Sequence, residues 1–176
     1  MKIVFFGVGA VCSVMATLLD ELSNKSKQKD INFVFVVRNI KKAQGHFFKN
    51  SNILNKSDFL EIKHFEEIFE DSKKYEKYLQ NSDIFINSST PSFNLPIMNL
   101  ALKYNTNYAD LASDIYKDEI ISTLKFDQQI LENEFKSQNL FALINLGISP
   151  GITNFLIGEK IHSLKNLPYE VKIKKL

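Results

Sequence analysis

The feature that most constrains this chain is its opening. A short β-type run, Ile3-Val4-Phe5-Phe6, halts at Gly7-Val8-Gly9, and helical spacing begins at once. Val11, Val14, Met15, Leu18, Leu19 and Leu22 recur at three- and four-residue steps, with Ser13, Thr17, Asp20 and Glu21 between them. A secretory signal needs no switch from strand to helix at a glycine pair, and no small-x-small cleavage site follows. No other stretch approaches the ~20 apolar residues of a membrane span.

The same alternation continues along the chain. Lys2–Phe6 reads as the first strand and Ala10–Leu22 as the first helix. Ile31–Val37 is a near-continuous apolar run, the mark of a strand covered on both faces. Ile40–Lys49 reads as a short helix, followed by a polar loop through Asp58, a weak strand over Phe59–Phe65 and a charged helix over Glu66–Gln80. Asp83–Asn87 and Asn107–Leu111 are short strands around a helix that ends near Tyr104. A long helix over Lys117–Ser137, a buried strand over Leu140–Leu146 and a helix over Ile152–Leu164 follow. Tyr169, Val171 and Ile173 alternate with charged residues as in a strand with one wet face.

Strands alternating with helices predict an α/β fold: a doubly wound, mostly parallel Rossmann sheet of order 3-2-1-4-5-6. With 176 residues the chain can enclose a full core. The expected division is a dinucleotide-binding domain over 1–150, then a connecting helix and the first strand of a truncated second domain over 151–176. A net charge of +2, from 22 basic and 20 acidic residues, gives no reason to expect nucleic acid or a membrane surface as partner. The single cysteine, Cys12, excludes an intrachain disulfide and a Cys-rich zinc site, and fits a reducing, cytoplasmic setting.

In such sheets ligands sit at the carboxyl ends of the strands, where the order reverses. Gly7, Val8, Gly9, Ala10 and Val11 therefore form the expected phosphate turn. The first glycine permits the bend, the second admits the pyrophosphate, and the helix N-terminus offers free N–H groups. Glycines serving only a tight turn are the plainer reading. After the second strand come Arg38 and Asn39, with Lys41 and Lys42 behind. An NAD site would carry an acid there, whereas Arg38 suits a 2′-phosphate, so NADP is favoured and NAD left open. The alternative is an arginine that merely snorkels at a strand end.

Ser88, Ser89, Thr90 and Pro91 after the fourth strand suit a loop passing over the cofactor, although Ser92 or Asn94 as a helix cap is an equal reading. Tyr108 and Asp110 of the fifth strand are candidate substrate-side groups, and Asp110, Leu111 and Ala112 candidate cofactor contacts. A merely solvated Asp110 is the blander view. Pro150 and Gly151 open the last helix with another anion-tolerant N-terminus facing the same cleft.

Together these segments resemble the saccharopine dehydrogenase group, including its carboxynorspermidine dehydrogenase relatives. The pieces are Gly7-Val8-Gly9-Ala10-Val11, Val37-Arg38-Asn39, Asp83 to Asn87 through Pro91, Tyr108-Ala109-Asp110, and Gly147-Ile148-Ser149-Pro150-Gly151-Ile152-Thr153-Asn154. The last is the most specific, since a Pro-Gly-apolar-Thr-Asn run is not a general feature of this fold. The resemblance implies an NAD(P)-binding domain of an oxidoreductase that transfers hydride at C–N bonds of small amino-acid or polyamine substrates. A second domain would supply much of the substrate site and the homodimer contacts. Cys12 stands where the third glycine of the fingerprint is usual; it is still small enough for close helix–strand packing and would loosen cofactor binding without abolishing it. No catalytic acid or base is assigned.

Rival chemistries lack their residues. None of the six tyrosines has Lys four residues later, as a short-chain dehydrogenase requires. A methyltransferase wants an acid where Arg38 stands, and there is no G-x-S-x-G elbow for a serine hydrolase. His46, His64 and His162 have no metal-ligand spacing, so no metal is expected. The alternative from another class is a stand-alone nucleotide-binding or sensor module without turnover.

Overall fold

A computed structural model describes residues 1–26, 30–47, 51–113, 127–147 and 151–165. Strands β1 (Lys2–Phe6), β2 (Asn32–Val37), β3 (Ser57–Glu61), β4 (Ile84–Asn87), β5 (Asn107–Asp110) and β6 (Ala142–Leu143) form one sheet. Its order is β3-β2-β1-β4-β5-β6, and every pairing is parallel. The expected doubly wound topology is therefore the observed one. The switch point lies at β1, flanked by β2 on one side and β4 on the other.

Register sets the rim of the sheet. Phe6 pairs with Val36 and with Asn87, and Asn87 pairs with Asp110. The residues that follow β1, β2 and β4 therefore emerge side by side. Strand alternation divides the core in two. Val4, Phe6, Val34, Val36, Leu60, Phe85 and Tyr108 pack on one face. Ile3, Phe5, Phe33, Phe35, Val37, Ile86 and Ala109 pack on the other. Phenylalanine fills much of the second layer: Phe35 lies 5.0 Å from Phe47, 5.2 Å from Phe59 and 5.6 Å from Phe5, ring centre to ring centre.

Helix α1 (Ala10–Ser26) runs past the expected Leu22 and presents an unexpected face. Cys12, Ala16, Asp20 and Ser23 meet the sheet. Val11, Val14, Leu18 and Leu22 are 57%, 58%, 52% and 61% exposed. Periodicity correctly announces a helix here, but the buried stripe belongs to small residues, which let the helix lie close to the strands. Met15 and Leu19 flank it, half-buried.

Between β2 and β3 lie α2 (Ile40–Gly45) and α3 (Ser51–Asn55). The second of these occupies the expected polar loop because Ile53 is fully buried. The third strand accordingly starts earlier than Phe59. The expected helix over Glu66–Gln80 is broken into α4 (Glu66–Glu70), a 3₁₀ turn at Ser72–Tyr75 and α5 (Glu76–Leu79). The break has a physical cause at Ser72. Its hydroxyl accepts from Lys103 Nζ at 2.7 Å and its carbonyl accepts from the Tyr104 hydroxyl at 2.9 Å. These bonds draw the chain toward the end of α6 (Asn94–Lys103).

A 3₁₀ turn at Asp127–Leu131 leads into α7 (Glu132–Ser137), which covers the expected long helix only from residue 127 onward. Residues 117–126 and the expected strand at 169–173 lie outside the described residues. The sixth strand is shorter than expected, with only Ala142 and Leu143 in register against β5. Helix α8 (Thr153–Lys165) closes the described chain. Asn81, Asn105 and Asn139, at φ 55°, 50° and 56°, turn the chain after α5, α6 and α7. Among the described residues no helix is long and apolar enough to cross a membrane.

Candidate functional site: a cavity at the switch point

A cavity of about 500 Å³ opens at the carboxyl ends of β2, β1 and β4, lined by Gly7, Val8, Gly9, Val37, Arg38, Asn39, Lys42, Ala43, Phe65, Ser88, Ser89 and Thr90. That volume lies within the ~300–1,000 Å³ typical of small-molecule sites. The glycine turn forms its centre, the β2 segment one wall and the β4 loop the other.

The two glycines do different work. Gly7 has φ +93°, and a Cβ there would lie 2.9 Å from Cβ of Ser89. It is glycine because the β4 loop packs against it. Gly9 has nothing within 4 Å of a would-be Cβ. Space is kept open where a ligand's phosphate would come against the backbone. The first inward bond of α1 runs from the Ser13 N–H to the Gly9 carbonyl at 3.0 Å. The N–H groups of Ala10, Val11 and Cys12 thus precede the helical ladder and, with the helix dipole, favour an anion there. Cys12 itself is not among the lining residues. It is 1% exposed, packs among the core residues beside β1, and burial pushes its thiol up to about 12.

Arg38 and Asn39 stand exposed on the β2 wall. Asn39 caps α2, its Oδ1 accepting from the Lys42 N–H at 2.8 Å. Among the described residues no carboxylate pairs with Arg38. Glu61, in register with Val37 of β2, has its Oε1 occupied by the Ile40 N–H at 3.1 Å. Lys42 joins the same wall, as do Val37, Ala43 and Phe65. Of these only Lys42 has a sequence signal, being one helical turn beyond Arg38. Phe65 arrives from the segment after β3, which no local pattern brings to the cavity.

The β4 loop is held from two directions. Ser88 Oγ donates to the Gly7 carbonyl at 2.7 Å. The buried Asn87 accepts from the Ser89 N–H at 3.0 Å and the Ser89 hydroxyl at 2.6 Å, and donates to the Thr90 carbonyl at 3.0 Å. Neither Ser92 nor Asn94 caps the following helix by a side-chain bond. Asn94 is turned inward instead.

Tyr108 and Asp110, expected as cleft-facing groups, are not among the residues that line this cavity. Tyr108 is fully buried and its hydroxyl donates to Asn94 Oδ1 at 2.9 Å. Asp110 is 1% exposed; Oδ1 accepts the Asn145 N–H at 2.8 Å and Oδ2 accepts Gln128 Nε2 at 3.1 Å. Burial raises both groups above their ordinary values, and the neighbouring Asp110 carboxylate adds to the effect on Tyr108. The acid is sequestered because β6 and the Asp127–Leu131 turn close over the end of β5. Leu111, Ala112, Ala10, Val11, Pro91 and Gly151 are likewise not among the walls. Gly151, at φ +132°, would place a Cβ 2.7 Å from the Asn145 carbonyl oxygen, so it packs against the Asn145–Leu146 segment that follows β6. Pro150 lies outside the described residues. No cluster of metal-ligating side chains occurs among the described residues.

A parallel sheet of this order with a glycine turn, an open helix N-terminus and a cationic wall defines a Rossmann-type dinucleotide-binding domain. The chain belongs to the family described as the saccharopine dehydrogenase NADP binding domain, matched over residues 3–143. It is thus an NAD(P)-binding domain of the oxidoreductase type. No curated protein matches it by sequence.

Solved structures with the same fold include the saccharopine dehydrogenase (L-Glu forming) of Saccharomyces cerevisiae, 18% identical at a TM-score of 0.63 over 93% of this chain and 31% of that one. Another is the homospermidine synthase of Legionella pneumophila in complex with NAD, 16% identical at a TM-score of 0.60 over 99% of this chain and 35% of that one. The chain thus spans about a third of the length of either.

Proposed function

We propose that this chain binds NADP(H) in preference to NAD(H), as the cofactor domain of an oxidoreductase that acts on C–N bonds of small amino-acid or polyamine substrates. The observation that carries the cofactor choice is Arg38, exposed and without a carboxylate partner among the described residues, beside Lys42 on a wall where an NAD site would place an acid. Arg38 would grip the 2′-phosphate in a bidentate fashion and Lys42 would add a second positive charge. The amides opening α1 would take the pyrophosphate above Gly9, and the Ser88–Thr90 loop would meet the far half of the dinucleotide. When bound, the nicotinamide supplies the hydride chemistry; this chain supplies position and charge.

The titratable side chains on the cavity wall are Arg38 and Lys42, both cations rather than proton-transfer groups. This favours a division of labour in which residues 1–150 hold cofactor and α8 leads toward a second, substrate-binding and dimerising domain.

The test is calorimetric titration of the chain and of Arg38→Ala with NADPH and NADH. Loss of charge-assisted bonds worth about 1.5–3 kcal/mol should weaken NADPH roughly 10- to 100-fold and leave NADH within about twofold. Equal loss for the two nucleotides would refute the 2′-phosphate role. Binding of neither by the unaltered chain would remove the cofactor assignment.

A further inference from the structure

Behind the Ser88–Thr90 loop lies a chain of buried side-chain hydrogen bonds that the cofactor reading does not use. Asn94, buried at the start of α6, is its hub. Its Oδ1 accepts from Asn87 Nδ2 at 2.6 Å and from the Tyr108 hydroxyl at 2.9 Å, while its Nδ2 donates to the Ala112 carbonyl at 2.8 Å. Asn87 is equally committed. Its Oδ1 takes both Ser89 donors, and its Nδ2 serves Thr90 and Asn94. The amide orientations follow from this pairing, since reversing either would set donor against donor. Together these bonds tie the β4 loop to the end of β5.

Asn87 thus spends its amide group directly on a loop whose residues line the cavity, and Asn94 braces Asn87 against the end of β5. An apolar pair would fill the same interior without leaving polar groups that need satisfying. What the polar pair adds is a fixed course for Ser88, Ser89 and Thr90 across one wall. The opposite wall, with Arg38 and Lys42, is reached through β2 and shares none of these bonds.

We infer that Asn87 and Asn94, steadied by the Tyr108 hydroxyl, are positioning residues that fix the β4 loop against the half of the dinucleotide lying beyond the pyrophosphate. The inference rests on the dinucleotide reading above. It differs from a general structural role in one respect: the effect must be confined to one half of the ligand. Adenosine 2′,5′-bisphosphate reports the β2 wall alone, whereas NADPH needs both walls.

The experiment titrates the unaltered 176-residue chain, Asn94→Ala and Tyr108→Phe with NADPH and with adenosine 2′,5′-bisphosphate, with circular dichroism as the check of folding. Asn94→Ala should weaken NADPH about tenfold, the upper end of one neutral hydrogen bond, and leave the bisphosphate within about twofold. Tyr108→Phe should weaken NADPH about threefold, again sparing the bisphosphate, because one of two donors to Asn94 Oδ1 is lost with little change of shape. Should Asn94→Ala not fold, Tyr108→Phe decides alone. A folded variant that loses both ligands in parallel, or neither, overturns the positioning role while the cofactor reading stands. An unaltered chain that binds neither ligand overturns the cofactor reading, and this inference falls with it.

Discussion

Substituting alanine at Gly9 should separate folding from binding, and the contrast with Gly7 makes the result quantitative. At Gly9 the added methyl meets no atom within 4 Å, and the backbone is not in the left-handed region. Folding should therefore change by no more than about 0.5 kcal/mol, or roughly 1–2 °C in Tm for a chain of this size. The same methyl occupies the approach to the amides that open α1. A phosphate held off from them loses one or two charge-assisted hydrogen bonds of about 1.5–3 kcal/mol each. NADPH affinity should fall about 10-fold if one weak bond is lost and more than 100-fold if two are. Gly7→Ala inverts the pattern. A positive φ costs an L-residue about 1–2 kcal/mol, and the 2.9 Å approach to Ser89 adds steric strain. Its Tm should drop by about 5–10 °C. Thermal unfolding followed by circular dichroism reads the first quantity, and calorimetric titration with NADPH the second. Undiminished NADPH binding by Gly9→Ala, or a Tm loss there matching that of Gly7→Ala, would refute the assignment of the open space to phosphate.

Two further outcomes follow from the buried ionisable groups. Asp110 has its carboxyl raised by burial, so the folded state binds that proton more tightly than the unfolded one, and stability is lost as pH rises from the ordinary aspartate value through the raised one. Asp110→Asn should thus melt above the unaltered chain at pH 7, with the gap closing as pH falls toward the ordinary value. A variant melting lower at pH 7 would show that the accepted bonds outweigh burial. Asp20, buried on α1, is bridged by Lys56 Nζ at 3.2 Å and also accepts from Asn24 at 3.3 Å. Lys56→Met should cost about 1–2 kcal/mol, discounted for the lysine's partial exposure, and a few degrees in Tm; an unchanged Tm would count the bridge as idle.

The sheet and its switch point are legible in the sequence because strand buried on both faces leaves a mark that needs no tertiary context. The run before Gly7 is apolar at every position from Ile3 on, and Ile31–Val37 at every position but Asn32, so neither reads as a surface element. The phosphate turn is legible for a similar reason, since a strand, two glycines and a helix are contiguous. Helix faces are less so. The apolar residues of α1 outnumber the small ones, yet Cys12 and Ala16 meet the sheet because closeness of approach, not hydrophobicity, selects that stripe. The fate of Asp110 is set by Gln128 and Asn145, distant in sequence, and no strand-end pattern distinguishes an acid facing a cleft from one sealed under the next strand. The break at Ser72 depends in the same way on Lys103 and Tyr104.

The handedness of the turns has a consequence for how this sequence is to be read. Among the described residues every non-glycine with positive φ is an asparagine: Asn81, Asn105, Asn139 and Asn145. The two glycines in that region, Gly7 and Gly151, are those where a Cβ would lie under 3 Å from a neighbour. Asparagine tolerates the left-handed conformation at modest cost, so it serves wherever the backbone need only reverse. Glycine appears where the chain must reverse and another segment must press against it as well. In this protein, then, left-handed asparagines punctuate the path between elements, while a left-handed glycine marks a place where two parts of the chain touch.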